Sequence, residues 1–230
     1  MSPRAVFVAG AHTDVGKTHA ACALIGALRA RGLAVEALKP VVSGFDPEDW
    51  KDSDPGRLLA ALGRHLDASE LQAMSPWRFR APLAPPLAAR REGVRLELAP
   101  VADFCRARRA ATGADVFLVE GVGGLMSPIA EAATGLDLMT ALDLPAILVG
   151  GSYLGAISHL LTAAEALRGR GLPLAAVVVS QAADPDAPDL AETADAVAEH
   201  LAQAPLIVAP RTPEYEWANI LAASVLAFSS

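Results

Sequence analysis

The sequence lacks several features that define whole classes of protein. It has two cysteines, Cys22 and Cys105, without a paired motif, so neither a disulfide framework nor a cysteine metal site is expected. We expect both to be buried small side chains in a reducing compartment. No apolar run reaches the ~18 residues of a membrane-spanning helix, and the first residues lack a secretory-signal core. These absences predict a cytoplasmic protein without a membrane partner.

Positive charge is scarce, and lysine is scarcer still. The formal net charge of -7 gives no general attraction to nucleic acid, so no nucleic-acid partner is expected. Of 19 basic residues only Lys17, Lys39 and Lys51 are lysines. A chain so biased to arginine keeps lysine where a compact ammonium is needed, because the planar guanidinium cannot replace it as a point charge. For Lys39 alone, an ordinary surface lysine remains the alternative.

What is present is an alternation of short apolar runs and longer Ala/Leu/Arg-rich segments with helical spacing. It predicts an α/β fold of the P-loop NTPase type, with a mostly parallel sheet and helices on both faces. The length fits a single domain, residues 1–230. The predicted strands are 5–9, 34–38, 116–119, 146–149, 175–179 and 206–208. The predicted helices are 17–30, 101–111, 156–168 and 188–202.

The stretch 42–100 fits this alternation badly because it contains seven prolines and two of the three tryptophans. We expect a long irregular excursion at the strand ends. Long irregular segments in compact domains are commonly functional loops, with disorder as the alternative.

The segment GAHTDVGKT, residues 10–18, lies between a predicted strand and a predicted helix. In such a loop backbone N–H groups cradle phosphates, the lysine ammonium reaches the outer phosphates and the threonine hydroxyl can ligate magnesium. The common pattern G-x-x-x-x-G-K-[ST] is not strictly met, because Ala11 holds the first glycine position and Gly10 comes one residue earlier. The context still predicts a nucleotide phosphate site. Its residues are Thr13, Asp14, Val15, Gly16, Lys17 and Thr18.

Two acidic residues follow predicted strands at the edge where ligands bind in an open α/β sheet. Glu120 comes straight after a buried strand and before a Gly-rich turn, where packing explains a charge poorly. Asp54 lies in WKDSDPGR, where a turn or helix cap before Pro55 explains it equally well. Asp52 is a close competitor. Because magnesium bound with ATP takes one or two carboxylates, Glu120 and Asp54 are candidate ligands together with Thr18.

Six motifs in order make the sequence resemble the dethiobiotin synthetase family over most of the chain. They are GAHTDVGKT (10–18), LKPVVSG (38–44), DSD (52–54), APLAPPLAA (81–89), VEGVGGLMSP (119–128) and LGAISH (154–159). The resemblance implies ATP- and Mg²⁺-dependent carboxylation of 7,8-diaminononanoate with CO₂. The carbamate is phosphorylated to a carbamic-phosphoric anhydride, and ring closure gives dethiobiotin.

The resemblance also implies roles for particular residues. Thr13, Gly16, Lys17 and Thr18 would hold the ATP phosphates, with Thr18, Asp54 and Glu120 around magnesium. Lys39 and Ser43 would hold the carbamate, with Lys17 and Lys39 as the catalytic lysines and Thr13 also beside the substrate. The backbone of Gly155, Ala156 and Ile157 would meet the substrate carboxylate from the partner subunit of a homodimer.

Three positions depart from the family pattern. Ser180 and Gln181 stand where an asparagine usually reads the adenine edge, so the choice of ATP over other nucleotides stays open, with the backbone of 180–182 as a candidate reader. Ser158 and Pro86 replace an asparagine and a histidine. No general base is evident. His19, His65, His159 and His200 show no clustering along the sequence. His12 lies in the loop and is either a base or a solvated side chain near the helix dipole.

Two other classes share the predicted fold. A partitioning or positioning ATPase of the ParA/MinD type is the main alternative, but those proteins resemble a loop with an extra early lysine, which Ala11 and His12 do not supply. A GTP switch needs an N-K-x-D guanine reader, and Asn219, the only asparagine, is followed by Ile220 and Leu221.

Overall fold

A computed structural model describes residues 3–201, 204–212 and 216–228. The strands are β1 (Arg4–Gly10), β2 (Val35–Leu38), β3 (Val41–Ser43), β4 (Trp77–Phe79), β5 (Val116–Glu120), β6 (Pro128–Ala130), β7 (Ala133–Thr134), β8 (Ala146–Gly151), β9 (Leu174–Ser180) and β10 (Leu206–Ala209). The helices are α1 (Lys17–Ala30), α2 (Asp54–Ala61), α3 (Ala68–Met74), α4 (Pro85–Arg91), α5 (Leu98–Ala111), α6 (Gly135–Leu142), α7 (Ala156–Gly169), α8 (Leu190–Ala198) and α9 (Glu216–Ala227).

The centre of the fold is a parallel six-stranded sheet in the order β10-β9-β8-β1-β5-β2. All six strands predicted from the sequence belong to it, each within two residues of the predicted bounds. From β1 the chain first builds β2 and β5 on one side and then β8 and β9 on the other. The strand order therefore reverses at β1, and the carboxyl end of β1 is where such a sheet binds ligands.

Successive residues of β1 point to two separate cores, one on each face of the sheet. Phe7 packs in the core that includes Val101 of α5 and Leu160 of α7, whereas Val8 packs with Leu24 of α1 and Leu221 of α9. Helices thus cover both faces, as predicted, and this is why the strands are continuous apolar runs instead of alternating ones.

The four predicted helices are present with adjusted ends. Helix α1 has the predicted bounds, α5 begins three residues earlier, and α7 extends one residue further. Helix α8 begins at Leu190, because the Asp189 side chain caps it by accepting the N–H groups of Ala191 and Glu192. It ends at Ala198, short of the predicted end at 202, which lies outside the described residues.

The segment 42–100 is ordered, so the expectation of a long irregular excursion was wrong. It contains the C-terminal end of β3, all of β4, the three short helices α2 to α4 and the N-terminal start of α5. Pro55 and Pro85 lie in the first turns of α2 and α4, where a missing N–H breaks no helical hydrogen bond. These prolines begin helices instead of interrupting them.

Both cysteines are free thiols, with Cys105 buried and Cys22 partly buried. Burial raises the pKa of each thiol to about 12, which keeps both unreactive. Within the described ranges, no helix combines the length and the apolar character that a membrane crossing requires.

Candidate active site

The packing of the loop between β1 and α1 explains why its first glycine is Gly10, one residue earlier than in the common P-loop pattern. A Cβ atom added at Gly10 would lie 2.8 Å from the carbonyl oxygen of His12 and 3.0 Å from the Nζ atom of Lys17. Lys17, the first residue of α1, folds back over Gly10, and its Nζ lies 3.5 Å from the His12 oxygen. Glycine at position 10 therefore makes room both for the loop backbone at His12 and for the lysine side chain.

Gly16 closes the loop in a left-handed conformation, with φ of 92°, and caps the start of α1. A Cβ atom there would lie 2.7 Å from the Oγ atom of Ser180, which is buried at the end of β9. Ser180 thus lies directly against the loop. Since the free N–H groups and positive end of α1 point into this turn, the loop suits an anion such as a phosphate.

Lys17 is 7% exposed, and among the described residues no carboxylate forms an ion pair with it. Burial, and then the neighbouring charge of Lys39, lower the pKa of Lys17 to about 8. Its ammonium therefore lacks a matching negative charge at close range. A phosphate group bound in the loop would supply one.

An acidic pocket lies beside the loop at the ends of β2 and β5. The Nζ atom of Lys39 is 2.6 Å from Glu120 Oε1 and 2.6 Å from Asp54 Oδ2. The Thr18 hydroxyl donates to Glu120 Oε1 at 2.7 Å. The strand register explains the meeting, because Leu38 of β2 pairs with Val119 of β5, which places Lys39 next to Glu120.

The ion pair between Lys39 and Asp54 favours the ionised state of both groups. Burial alone would lower the pKa of Lys39, but the carboxylates of Glu120 and Asp54 outweigh it and hold that pKa above its usual value. Burial alone would likewise raise the pKa of Asp54. The charge and hydrogen bond of Lys39, with a further hydrogen bond from Thr18, hold it below the usual range.

The oxygen atoms of this pocket fit a magnesium ion. Glu120 is 2% exposed, and its Oε2 atom is buried without a hydrogen-bond partner. Thr18 and Asp54 bring two more oxygen-bearing side chains to the same place. Only two carboxylates meet here, and the described residues contain no cluster of three or more His, Cys, Asp or Glu that could hold a metal. Few carboxylates and hard oxygen ligands are what Mg²⁺ prefers.

Two details of the pocket settle questions that the sequence left open. Asp54 is the first residue of α2, so it lies at a helix start and also contacts Lys39; Asp52 is exposed outside the contacts of Lys39. Lys39 is 2% exposed and is not a surface lysine. The buried Ser75 hydroxyl donates to the carbonyl oxygen of Lys39 at 2.5 Å, a contact that sequence reasoning missed.

A cleft of about 470 Å³ opens on the other side of the loop. It is bounded by residues 11–13, by the turn 124–128 after β5 and by the first turns of α7. The turn is fixed against the loop because the Leu125 N–H donates to the Gly10 carbonyl oxygen at 2.7 Å. Thr13, predicted beside phosphate and substrate, lines this cleft.

The expectation that His159 is not part of a cluster was wrong. The rings of His12 and His159 stack in the cleft, with centroids 5.3 Å apart and planes 7° from parallel. The Tyr153 hydroxyl lies 2.8 Å from His159 Nδ1. These contacts depend on how the loop after β1 approaches the start of α7, so the sequence carried no local signal for them.

The remaining predicted residues lie around these two sites. Ser43 is partly buried at the end of β3. Gly155, with φ of 94°, caps α7, and both Gly155 and Ile157 are exposed. Ala156 is buried and its N–H already donates to the Tyr153 carbonyl oxygen at 2.9 Å, so that group is not free for a carboxylate.

The segment proposed for base recognition is already engaged in contacts within the chain. Gln181 Oε1 accepts the Arg211 N–H at 2.9 Å, and the Ala182 N–H donates to Ser152 Oγ at 3.0 Å. The Ala182 N–H would therefore have to leave Ser152 before it could read a base.

A phosphate-binding loop between strand and helix, at the switch point of a parallel sheet, defines a P-loop NTPase. Solved structures agree on this fold. The hydrogenase maturation factor HypB from Archaeoglobus fulgidus matches with a TM-score of 0.57 at 14% identity, covering 97% of this chain and 91% of that one. The septum site-determining protein MinD complexed with Mg-ADP from Pyrococcus horikoshii matches with a TM-score of 0.53 at 15% identity, covering 94% and 86%.

Sequence comparison narrows this class. A family model described as an AAA domain matches residues 4–217. The ATP-dependent dethiobiotin synthetase of Phenylobacterium zucineum is 56% identical over 96% of this chain and 94% of its own length. That of Caulobacter vibrioides strain NA1000 is 50% identical over 95% and 97%. The chain belongs to the ATP-dependent dethiobiotin synthetase family.

Proposed function

We propose that this chain is a dethiobiotin synthase, which uses ATP and CO₂ to close the ureido ring of dethiobiotin from 7,8-diaminononanoate in biotin biosynthesis. The observation that carries the proposal is the 56% identity, over nearly the full length of both chains, to a protein named ATP-dependent dethiobiotin synthetase. The acidic pocket and the phosphate loop give this chain side chains suited to the reaction.

The proposed roles follow the charges of the site. The loop residues 13–18 hold the phosphates, with Lys17 on the outer ones. Thr18, Asp54 and Glu120 hold magnesium, which neutralises charge on the phosphate oxygens when bound. Lys39 and Ser43 hold the carbamate, and Lys39 offsets the negative charge that develops as the phosphoryl group moves.

The reaction has three steps in this proposal. An amine of the substrate adds to CO₂ to give a carbamate, and the carbamate oxygen takes the γ-phosphoryl group of ATP. The second amine attacks the resulting anhydride, phosphate leaves and the ring closes. Phosphoryl transfer depends on positioning and charge neutralisation, which the lysines supply, so this step needs no covalent chemistry from the protein.

We also propose a homodimer in which Gly155 and Ile157 meet the substrate carboxylate bound by the partner. Leu154, just before the cap of α7, is 92% exposed and Ile157, in its first turn, is 36% exposed, so the start of α7 presents an apolar surface that a second subunit would cover. A single domain spanning residues 1–230, a cytoplasmic location and base contacts near Ser180 complete the proposal.

The test is product formation with three lysine variants. The protein, given 7,8-diaminononanoate, bicarbonate and Mg-ATP, forms dethiobiotin and one phosphate per product, measured by mass spectrometry and a phosphate assay. Lys17→Ala loses nucleotide affinity and about 100-fold or more in turnover, whereas Lys39→Ala keeps its ATP Kd within about threefold and loses turnover to a similar extent. Lys51→Ala, at an exposed lysine, is the matched control.

Two outcomes would count against the proposal. ATP hydrolysis that responds to DNA or lipid vesicles and not to the diamine would favour a ParA/MinD-like switch, although the likeness to MinD, at 15% identity, supports only the fold. Equal losses of ATP affinity in both lysine variants would assign Lys39 to the nucleotide alone.

A further inference from the structure

The stacked histidines place a titratable pair in the cleft beside the phosphate loop. His12 comes from the loop and His159 from the first turn of α7. Among the described residues that line this cleft, these two are the only ones with an ionisable side chain. The neighbouring loop positions carry Asp14 and Lys17, and the turn 124–128 brings no charged group.

The hydrogen bonds of the pair indicate which nitrogen is able to take a proton. His12 Nδ1 lies 3.0 Å from the carbonyl oxygen of Thr13. A carbonyl oxygen only accepts, so Nδ1 must carry the hydrogen of the neutral ring. The other nitrogen, Nε2, then holds a free lone pair. The neutral His12 ring is therefore fixed in the tautomer of a base.

The second ring, His159, is oriented by Tyr153 and stacks on His12. Burial raises the pKa of Tyr153, so its phenol keeps its hydrogen and can donate it to His159 Nδ1. Two stacked imidazolium rings would repel each other at a centroid distance of 5.3 Å. The stacking contact and the Tyr153 hydroxyl thus hold the two rings in place.

We propose that the reacting diamine nitrogen lies beside Thr13 in this cleft, and that His12 Nε2 accepts the proton released when this nitrogen forms the carbamate. The nitrogen lone pair bonds to the carbon of CO₂, one C=O π pair moves to its oxygen, and the N–H proton passes to His12. The products are a carbamate anion and an imidazolium, so charge balances. His159 and Tyr153 position the ring, and the inference rests on the proposed function.

The experiment compares His12→Asn with the wild type. The asparagine amide can still donate to the Thr13 carbonyl oxygen but cannot accept a proton. We expect kcat/KM for the diamine to fall by about 100-fold, since general base catalysis typically contributes 10²–10⁴-fold. The acidic limb of its pH profile flattens, the ATP Kd stays within about twofold, and added imidazole restores part of the rate.

Three further variants separate proton transfer from structure. His159→Asn, which keeps an acceptor for the Tyr153 hydroxyl, and Tyr153→Phe shift the acidic limb and lower the rate less than His12→Asn does. His65→Asn, at an exposed histidine elsewhere, leaves both unchanged. A wild type that makes dethiobiotin, with an unaltered rate and pH profile in His12→Asn, would overturn the proton-acceptor role alone. Absence of dethiobiotin with the wild type would overturn the proposed function and this role together.

Discussion

Lys17 and Lys39 carry the same ammonium at the same edge of the sheet, yet their surroundings are opposite. Lys17 lies buried over Gly10 without an ion pair among the described residues, and its pKa falls to about 8. Lys39 lies between two carboxylates, and its pKa rises. The comparison teaches that the charge of Lys17 needs an external anion, whereas the charge of Lys39 is already matched and holds the acidic pocket together.

The largest expected difference between the two lysines is in the free energy of unfolding when each charge is removed in turn. Lys39→Met leaves Glu120 as a buried charge without its partner, so we expect a loss of about 3 to 5 kcal/mol in the free energy of unfolding. Lys17→Met removes a charge that burial disfavours, so we expect the free energy of unfolding to rise by about 1 to 3 kcal/mol. Urea denaturation at pH 7 without nucleotide or metal measures both.

Magnesium provides the control for that experiment. Added Mg²⁺ should raise the stability of Lys39→Met more than that of Lys17→Met, because the ion can compensate the buried negative charge that has lost its lysine partner. Equal losses of stability in the two variants would mean that the ion pairs of Lys39 make no net contribution to the free energy of unfolding.

A smaller effect is expected on the Mg²⁺ requirement, which should distinguish Asp54 and Glu120 from Asp52. Asp54→Asn and Glu120→Gln each remove a charged oxygen ligand, and we expect the Mg²⁺ concentration that half-saturates turnover to rise about tenfold, or 1.4 kcal/mol. Asp52→Asn is the matched control, because its exposed carboxylate lies outside the contacts of Lys39. An unchanged Mg²⁺ titration in Glu120→Gln would leave Glu120 with a purely structural role.

The smallest expected effect is proton uptake when nucleotide binds. A group with a pKa of about 8 is about three-quarters deprotonated at pH 8.5, and bound phosphates raise that pKa, so binding should take up about 0.7 proton. Lys39, with its raised pKa, is already protonated and takes up none. Titration calorimetry in buffers of different ionisation enthalpy measures the uptake.

The sign of the pH effect on stability follows from the same shift. The pKa of Lys17 is lower in the folded chain than in the unfolded one, so the unfolded chain binds more protons between pH 8 and 10.5. Stability without nucleotide should therefore gain a contribution from Lys17 as pH rises through this range. Lys17→Arg, which stays charged, should lose both this gain and the proton uptake.

The sequence predicted the parts of the molecule that have a periodic or local signal. The six central strands were predicted because strands covered on both faces are continuous apolar runs, and Lys39 and Glu120 because charges directly after such strands stand out. The short helices α2 to α4 gave too few turns for a pattern. Helix α6 did carry a signal, the capping box of Thr134 and Asp137, which was overlooked.

Contacts that depend on the path of the chain could not be predicted. Ser75 reaches the Lys39 backbone only because the segment 42–100 folds back along β3. The stacking of His12 on His159 requires the loop and α7 to meet at a particular angle. Neither contact has a fixed spacing in the sequence, so both needed three-dimensional coordinates.

The packing of Lys17 over Gly10 makes the conformation of Lys17 depend on the residue at position 10. A methyl group at position 10 would press on the His12 carbonyl oxygen and on the Lys17 side chain, so a single change there would displace Lys17 while its own identity is kept. A mutational scan that scores each position separately would count Gly10 as a residue of the active site, although it contributes no side chain.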